Sequence, residues 1–333
     1  LRADDLFDDL PRTNSAGPEP ALSAVERIRV EYRDLQALPD DALCVISDGQ
    51  VSSTAPLTID LRLERLSGPA AEVWYATGPT HAGREGIVRY VYDDQLLIAV
   101  VEEDERAYGG IGPTAENLYA SMRQFQQHCG FPRLLRMWNY FDAINEGDGD
   151  AERYRQFCVG RALGLSPLSG KQLPAATAIG RQRTTHQLQV FWVAARSNGV
   201  AIENPRQVSA YHYPRAHGPV SPSFSRAMVA PDRTLLVSGT ASIVGHVSQH
   251  EGDAQAQLAE TLRNLATVTA HAGARHHTAH RQDLLKVYVR DATLVPMIAE
   301  RLREAYPGAS PIFLAGDICR RELLLEIECV QSG

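Results

Sequence analysis

Twice along this chain the same order of patterns appears: a hairpin, a helix, a strand, a second helix and two closing strands. Three local matches carry the repeat. Leu134-Leu135-Arg136-Met137-Trp138 falls against Leu284-Leu285-Lys286-Val287-Tyr288 at an offset of 150, and Leu96-Leu97-Ile98 against Leu235-Leu236-Val237 at 139. Ala178 through Val190 falls against Ala315 through Ile327 at 137. Loops of unequal length produce that drift. A duplication of this kind leaves few folds open. It predicts an α+β protein of two related units, each a mixed β-sheet with helices packed on one face. The expected division is an N-terminal unit over 21–200 and a C-terminal unit over 201–333, after a mobile lead-in over 1–20.

Within the first unit, short apolar runs from Ile28 to Leu66 and from Glu72 to Thr77 predict strands, followed by a glycine-rich loop through Gly78, Gly83 and Gly86. Val88–Tyr92 and Leu96–Val101 make a hairpin around Asp93-Asp94. The Gly109-Gly110-Ile111-Gly112 run matches no phosphate-loop spacing, so it reads as a turn, with Thr114 capping a helix over Ala115–Cys129 that Gly130 ends. A strand over Leu134–Tyr140, a helix over Glu152–Leu163 and strands over Pro174–Gly180 and Leu188–Ala195 complete the unit. The segment Asn204–Pro222 is irregular and carries Tyr211, Tyr213, Arg206 and Arg215; so long a loop is functional or disordered, and those side chains favour function. The second unit then reads as strands over Ser223–Val229 and Leu235–Ser242, a helix over Ala254–Ala272, a strand over Leu284–Arg290, a helix over Leu294–Ala305, and a closing strand pair between Ser310 and Val330.

A formal net charge of −7 argues against nucleic-acid or anionic-membrane binding, so any site for an anion must be a local cluster of cations. No apolar run approaches the ~20 residues of a membrane span, and no signal peptide heads the chain. The five cysteines lack CxxC spacing and suit reduced thiols in a cytoplasm. Gly147-Asp148-Gly149-Asp150 lacks the bidentate glutamate of a calcium loop, and the histidines His276, His277 and His280 have no carboxylate or thiolate at ligand spacing. No metal is expected.

The repeat is chemically unequal. Glu326 of the second unit falls against Gln189 of the first, and Cys319 against Gln182. Glutamine supplies no proton at neutral pH and is no thiol. One competent unit and one supporting unit follow. Alternation puts Glu326 and Glu328 on one face of the last strand and Leu325 and Ile327 on the other. A carboxyl in such a strand is either a rim charge or an acid whose pKa burial has raised.

The second unit resembles the RidA/YjgF family through Ser223-Phe-Ser-Arg-Ala227, Leu236-Val-Ser-Gly-Thr240, Lys286-Val-Tyr-Val289 and Leu325-Glu-Ile-Glu328. That likeness places Glu326 beside a bound carbonyl or imine. Phe224 stands where that family has tyrosine, and its arginine would fall near Pro311, which weighs against imine hydrolysis. The whole chain resembles the chorismatases through Tyr154-Arg-Gln-Phe-Cys-Val-Gly-Arg-Ala162, Pro174-Ala-Ala-Thr-Ala-Ile-Gly180, Asn204-Pro-Arg-Gln-Val-Ser-Ala-Tyr211, Ser238-Gly-Thr-Ala-Ser-Ile-Val-Gly-His246 and Asp317-Ile-Cys-Arg-Arg321. That resemblance implies cleavage of chorismate into pyruvate and a ring acid with no metal or organic cofactor. A cysteine at 319 resembles the hydroxybenzoate-forming branch, and the chain as a whole is similar to the 3-/4-hydroxybenzoate-forming type of xanthomonadin-type pigment synthesis.

Such chemistry needs a neutral acid to protonate an enol ether, for which Glu326 is the candidate, and forked donors for two carboxylates. Arg161, Arg215 and Arg226 are the candidate clamps, with Tyr154, Tyr211 and the backbone at Gly239, Thr240 and Ala241 shaping the pocket. Each arginine is otherwise a surface charge or an ion-pair member, and each tyrosine core packing. Cys319 is a participant or a small buried apolar group. A RidA-like imine deaminase and a non-catalytic small-molecule-binding regulator are the competing functions. The oligomer stays open between monomer and trimer.

Overall fold

A computed structural model describes residues 27–34, 41–49, 53–165, 173–275 and 282–332. The lead-in over 1–20 and the loop holding His276, His277 and His280 lie outside them.

Strands β1 (Val30–Arg33), β2 (Ala42–Ser47), β3 (Leu57–Asp60) and β5 (Ala71–Tyr75) form a small sheet in the order β1-β5-β2-β3, while β4 (Arg65–Ser67) leaves it. Next come β6 (His81–Glu85), β7 (Val88–Tyr92), β8 (Leu96–Asp104), helix α1 (Ile111–Gln126), β9 (Arg133–Asp142), helix α2 (Arg153–Leu165), β10 (Ala175–Arg181) and β11 (Gln187–Ala195). The second unit contains β12 (Val200–Ile202), β13 (Ala227–Val229), β14 (Leu235–Thr240), a short hairpin β15 (Ile243–Val244) and β16 (Val247–Ser248), and helix α3 (Ala254–Ala272). It ends with β17 (Gln282–Val289), α4 (Val295–Ala305), β18 (Ile312–Ala315), β19 (Asp317–Ile318) and β20 (Leu325–Ser332).

The duplication is visible as topology. One sheet runs β7-β8-β11-β9-β10 and the other β13-β14-β20-β17-β18 through their central strands. In each, the last pair is parallel (β9 with β10, β17 with β18) and the others are antiparallel. Gln189 lies opposite Tyr140 and Glu326 opposite Tyr288, and the two tyrosine hydroxyls hydrogen-bond at 2.6 Å where the units meet. Helices α1 and α2 cover one sheet, with Leu118, Met122, Phe125 and Phe157 in that core; α3 and α4 cover the other, with Leu258, Leu265, Ile298 and Leu302. The opposite faces pack on each other and on the small sheet through Trp138, Phe191, Leu236, Tyr288, Val330 and Trp74. Leu325 and Ile327 therefore point to the helices, and Glu326 and Glu328 into the seam between the sheets.

Several expectations are corrected. The closing strands β18 and β20 are not neighbours, because β17 lies between them and pairs with both. Gly83 belongs to strand β6, which pairs along β7, so the segment through Gly78, Gly83 and Gly86 is no continuous loop. Helix α1 starts at Ile111 with Gly110 as its cap; Thr114 sits in the first turn and gives its hydroxyl hydrogen bond to the Gly110 carbonyl. The segment 223–226 does not join β13. It is drawn across to the first unit, where the Ser225 amide bonds the Pro174 carbonyl and Ser225 bridges Ala175. That displacement opens the wall of a cavity.

Candidate active site

The two glutamates on β20 occupy opposite electrostatic situations. Glu328 accepts from Arg136 at 2.8 Å, Trp138 Nε1 at 2.9 and 3.0 Å, Thr177 Oγ1 at 2.7 Å and Lys286 Nζ at 3.0 Å. Burial alone would raise its pKa, but Lys286, Arg136 and these hydrogen bonds outweigh it and hold the carboxyl below its usual range. Lys286 is held in turn by Glu72 at 2.7 Å, and Glu72 by Trp74 Nε1 at 2.6 Å. Opposite charges balance across this sealed cluster, as a buried ion network requires.

Glu326 has none of these donors. It is 5% exposed, and among the described residues its carboxyl has no hydrogen-bond partner. Burial, and then the negative charge of Glu328, push its pKa up to about 8, against the weaker pull of Arg136 and Arg226. Two carboxyls two residues apart are thus driven in opposite directions, which is the usual signature of an acid and its electrostatic setting. The close approach of Glu326 to β14 depends on Gly239: a Cβ there would fall 1.8 Å from Glu326 Oε1. The Gly239 amide instead donates to Thr177 Oγ1 at 3.0 Å, tying β14 to β10.

Glu326 opens into a cavity of about 420 Å³ between the two units. The first unit contributes α2 and β10, through Tyr154, Arg161, Ala176 and Thr177, and the loop Gly147–Gly149. The second contributes Phe224, Arg226, Gly239, Ala241, Cys319 and Arg320, and Tyr213 and His217 close it from the irregular loop. Helix α2 comes close enough because of its glycines: a Cβ on Gly160 would meet the Gly112 carbonyl of α1 at 2.0 Å. Arg161, the next residue, projects about 100° further round the helix and lines the cavity beside Met137.

Arg161 is 4% exposed, yet its guanidinium has no carboxylate partner among the described residues. It lies over the Tyr119 ring at 5.4 Å, one Nη reaches Met137 Sδ at 3.9 Å, and Nε has no partner. Arg226, 6% exposed, donates to Tyr213 Oη at 2.7 Å and the Val208 carbonyl at 3.0 Å, also with an unpartnered Nε. Arg320 donates to the His246 carbonyl and Ser248 Oγ, both at 3.0 Å, and faces Tyr213 at 5.4 Å. Among the described residues none of these three guanidiniums has a carboxylate within salt-bridge distance, and around one cavity such a set can receive a dianion.

Cys319 lines the same cavity. Burial, then Glu326, push its thiol up to about 12, so it stays protonated. His217 is held neutral: burial, then Arg320 and His246, bring it down to about 4, and its Nε2 lies 3.0 Å from His246 Nδ1.

Glu326, Cys319, Arg161, Arg226, Tyr154, Gly239 and Ala241 therefore come together. Arg215 does not: it is exposed on the surface and paired with Asp150. Tyr211 sits in a short turn against His212, and the loop delivers Tyr213 to the cavity instead. Thr240 is buried with its hydroxyl on the Ser238 carbonyl, away from the lining. Arg206 is structural, bonded to Glu260 at 2.5 Å and Asn264 at 2.7 Å. Sequence reasoning missed Thr177, Tyr213, His217 and Arg320 as lining residues. Arg320 stood beside Cys319, and Thr177 within Pro174–Gly180, in motifs already singled out, but no local signal pointed to either side chain as a lining residue.

Comparison with known proteins gives a consistent family. The model described as "Chorismatase FkbO/Hyg5-like, N-terminal" matches residues 72–194. A "3-hydroxybenzoate synthase" of Streptomyces hygroscopicus is 36% identical over 79% of this chain and 81% of its own length. A "Chorismatase" of the same organism is 34% identical over 85% of each. A crystal structure of a chorismatase superposes with a TM-score of 0.77 at 30% identity, covering 92% of this chain and 99% of that one.

Proposed function

The chain belongs to the chorismatase family, and on that premise we propose that it cleaves chorismate into 3-hydroxybenzoate and pyruvate, with Glu326 as the proton donor. The observation that carries the reading is Glu326 itself: a carboxyl kept neutral by burial and by Glu328, facing a cavity where Arg161, Arg226 and Arg320 have no carboxylate within salt-bridge distance among the described residues.

Chorismate is a dianion, and Arg161, Arg226 and Arg320 receive its two carboxylates. Glu326 protonates the methylene carbon of the enolpyruvyl group, and the ether oxygen stabilises the resulting cation. The ring carbon–oxygen bond then breaks, and its electron pair completes the pyruvate carbonyl. If the neighbouring ring hydroxyl closes on the vacated carbon, its proton returns to Glu326 and no water is consumed. The oxygen-bridged ring so formed opens at its original carbon–oxygen bond, and the carbon that bore the ether loses its hydrogen as a proton, which passes to the oxygen it keeps; the aromatic product is 3-hydroxybenzoate, and the reaction is a lyase reaction. If water instead captures the protonated enol ether, pyruvate leaves with a dihydrodiol. Cys319, a neutral thiol in the lining, occupies space beside the acid that water would otherwise fill.

Incubating the protein with chorismate and separating the products tests this: pyruvate and hydroxybenzoate are expected in equal amounts, and no release of pyruvate rejects it. Cys319→Ala is expected to divert most of the product to dihydrodiol; an unchanged ratio makes the thiol a bystander. The rate is also expected to fall as pH rises through about 8, because Glu326 loses its proton there. Glu328→Gln removes the charge that helps keep Glu326 protonated, so that alkaline limb moves to lower pH; a limb that stays put would detach it from this pair.

A further inference from the structure

Cys319 and Arg320 reach the cavity on a segment that belongs to neither sheet's interior, and one side chain makes several of the hydrogen bonds that hold it. Arg290, at the end of β17, donates to three carbonyls of that segment: Leu323 at 2.6 Å, Ile318 at 2.8 Å and Arg320 at 2.9 Å. The same guanidinium bonds Asp317 Oδ1 at 2.7 Å and Asn145 Oδ1 at 2.6 Å. Asn145 belongs to the first unit, and its Nδ2 closes the ring by donating to the Ile318 carbonyl at 3.1 Å. On either side of Cys319, then, the carbonyls of Ile318 and Arg320 are fixed to one guanidinium. The segment also pairs with β10, Ile318 against Ile179 and Asp317 against Gly180, and Gln182 bonds the Arg290 carbonyl at 3.0 Å. A lone arginine on one carboxylate would be an ordinary ion pair. A fork whose hydrogen bonds run mainly to the backbone around one functional residue sets the position of that residue.

We propose that Arg290, locked to Asn145, is the positioning residue that fixes Cys319 against the bound ring and thereby decides which product forms. Capture by the ring hydroxyl and capture by water differ by whether one water fits beside the reacting carbon. A shift of the Cys319 backbone by about 1 Å is enough to change that, and displacements of this size cost up to ~10²-fold in positioned reactions. The inference rests on the reading that Cys319 guards this space, so the test separates the two.

Arg290→Met, Arg290→Lys and Asn145→Ala are prepared in the full chain beside Cys319→Ala. For each, the dihydrodiol-to-hydroxybenzoate ratio, kcat, KM and melting temperature are measured with chorismate. Arg290→Met and Asn145→Ala are each expected to raise the dihydrodiol share about tenfold, with Arg290→Lys in between. Added to Cys319→Ala, Arg290→Met should change the ratio little further, because both act through one side chain. The proposal is overturned if folded Arg290→Met and Asn145→Ala keep the parent ratio, whatever happens to rate or melting. It is equally overturned if Arg290→Met and Cys319→Ala shift the ratio independently. If Cys319→Ala alone leaves the ratio unchanged while the Arg290 variants move it, the proposal is overturned too, because Arg290 then acts through something other than the thiol; if neither moves it, the role given to Cys319 fails as well.

Discussion

Glu326→Gln is expected to slow pyruvate release from chorismate by about a thousandfold, within the range that loss of a positioned general acid produces, while the fold is kept or made more stable. Glutamine matches the shape of glutamate and carries no acidic proton. It fits the same space against Gly239, where the carboxyl has no hydrogen bond to lose among the described residues. The stability side has a definite sign. A carboxyl whose folded pKa is about 8 starts to oppose folding once pH exceeds its unfolded value. The opposition grows until about pH 8, since the unfolded chain releases the proton and the folded one retains it. Glutamine removes this term, so its melting temperature should equal the parent's in acid and exceed it at neutral pH. The residual rate of the variant should also lose its alkaline limb near 8. Pyruvate release at the parental rate would sink the assignment of the acid.

How much of this was readable beforehand follows from where each signal is stored. The repeat, the long helix Ala254–Ala272 and the shared face of Glu326 and Glu328 follow from periodicity, but the inward turn of that face does not. The pairing of β20 with β17 rather than β18 is a matter of sheet order, which local pattern does not encode. The same divide runs through the site. Arg161 and Arg226 lie in motifs that marked them out. The opposite fates of Glu326 and Glu328 depend on Arg136, Trp138 and Thr177, which reach across from the other unit. Arg215 and Tyr211 had the right chemistry in the right loop, but the turn at Ala210–His212 and the Asp150 carboxylate took them elsewhere. In a loop without a repeating period, nothing in the local pattern separates Tyr211 from Tyr213.

Arg161→Met separates substrate binding from scaffolding most directly. A buried guanidinium without an anion is a cost to the folded protein: its charge has left water, its Nε has no partner, and its compensation is a thioether and the face of Tyr119. Methionine of similar length removes that cost, so the variant should melt no lower than the parent. Binding of the dianion moves the other way. Losing one member of a buried, hydrogen-bonded charge pair costs about 2–5 kcal/mol, so KM for chorismate should rise by about thirtyfold or more with a smaller change in kcat. Arg161→Lys keeps the charge and loses the fork, and its KM should fall between the two. A structural arginine behaves in the opposite way: the melting temperature drops on replacement while KM stays put. Because stability and affinity are driven apart in one case and not in the other, the pair of measurements decides whether this cation is held uncompensated for the sake of an incoming carboxylate.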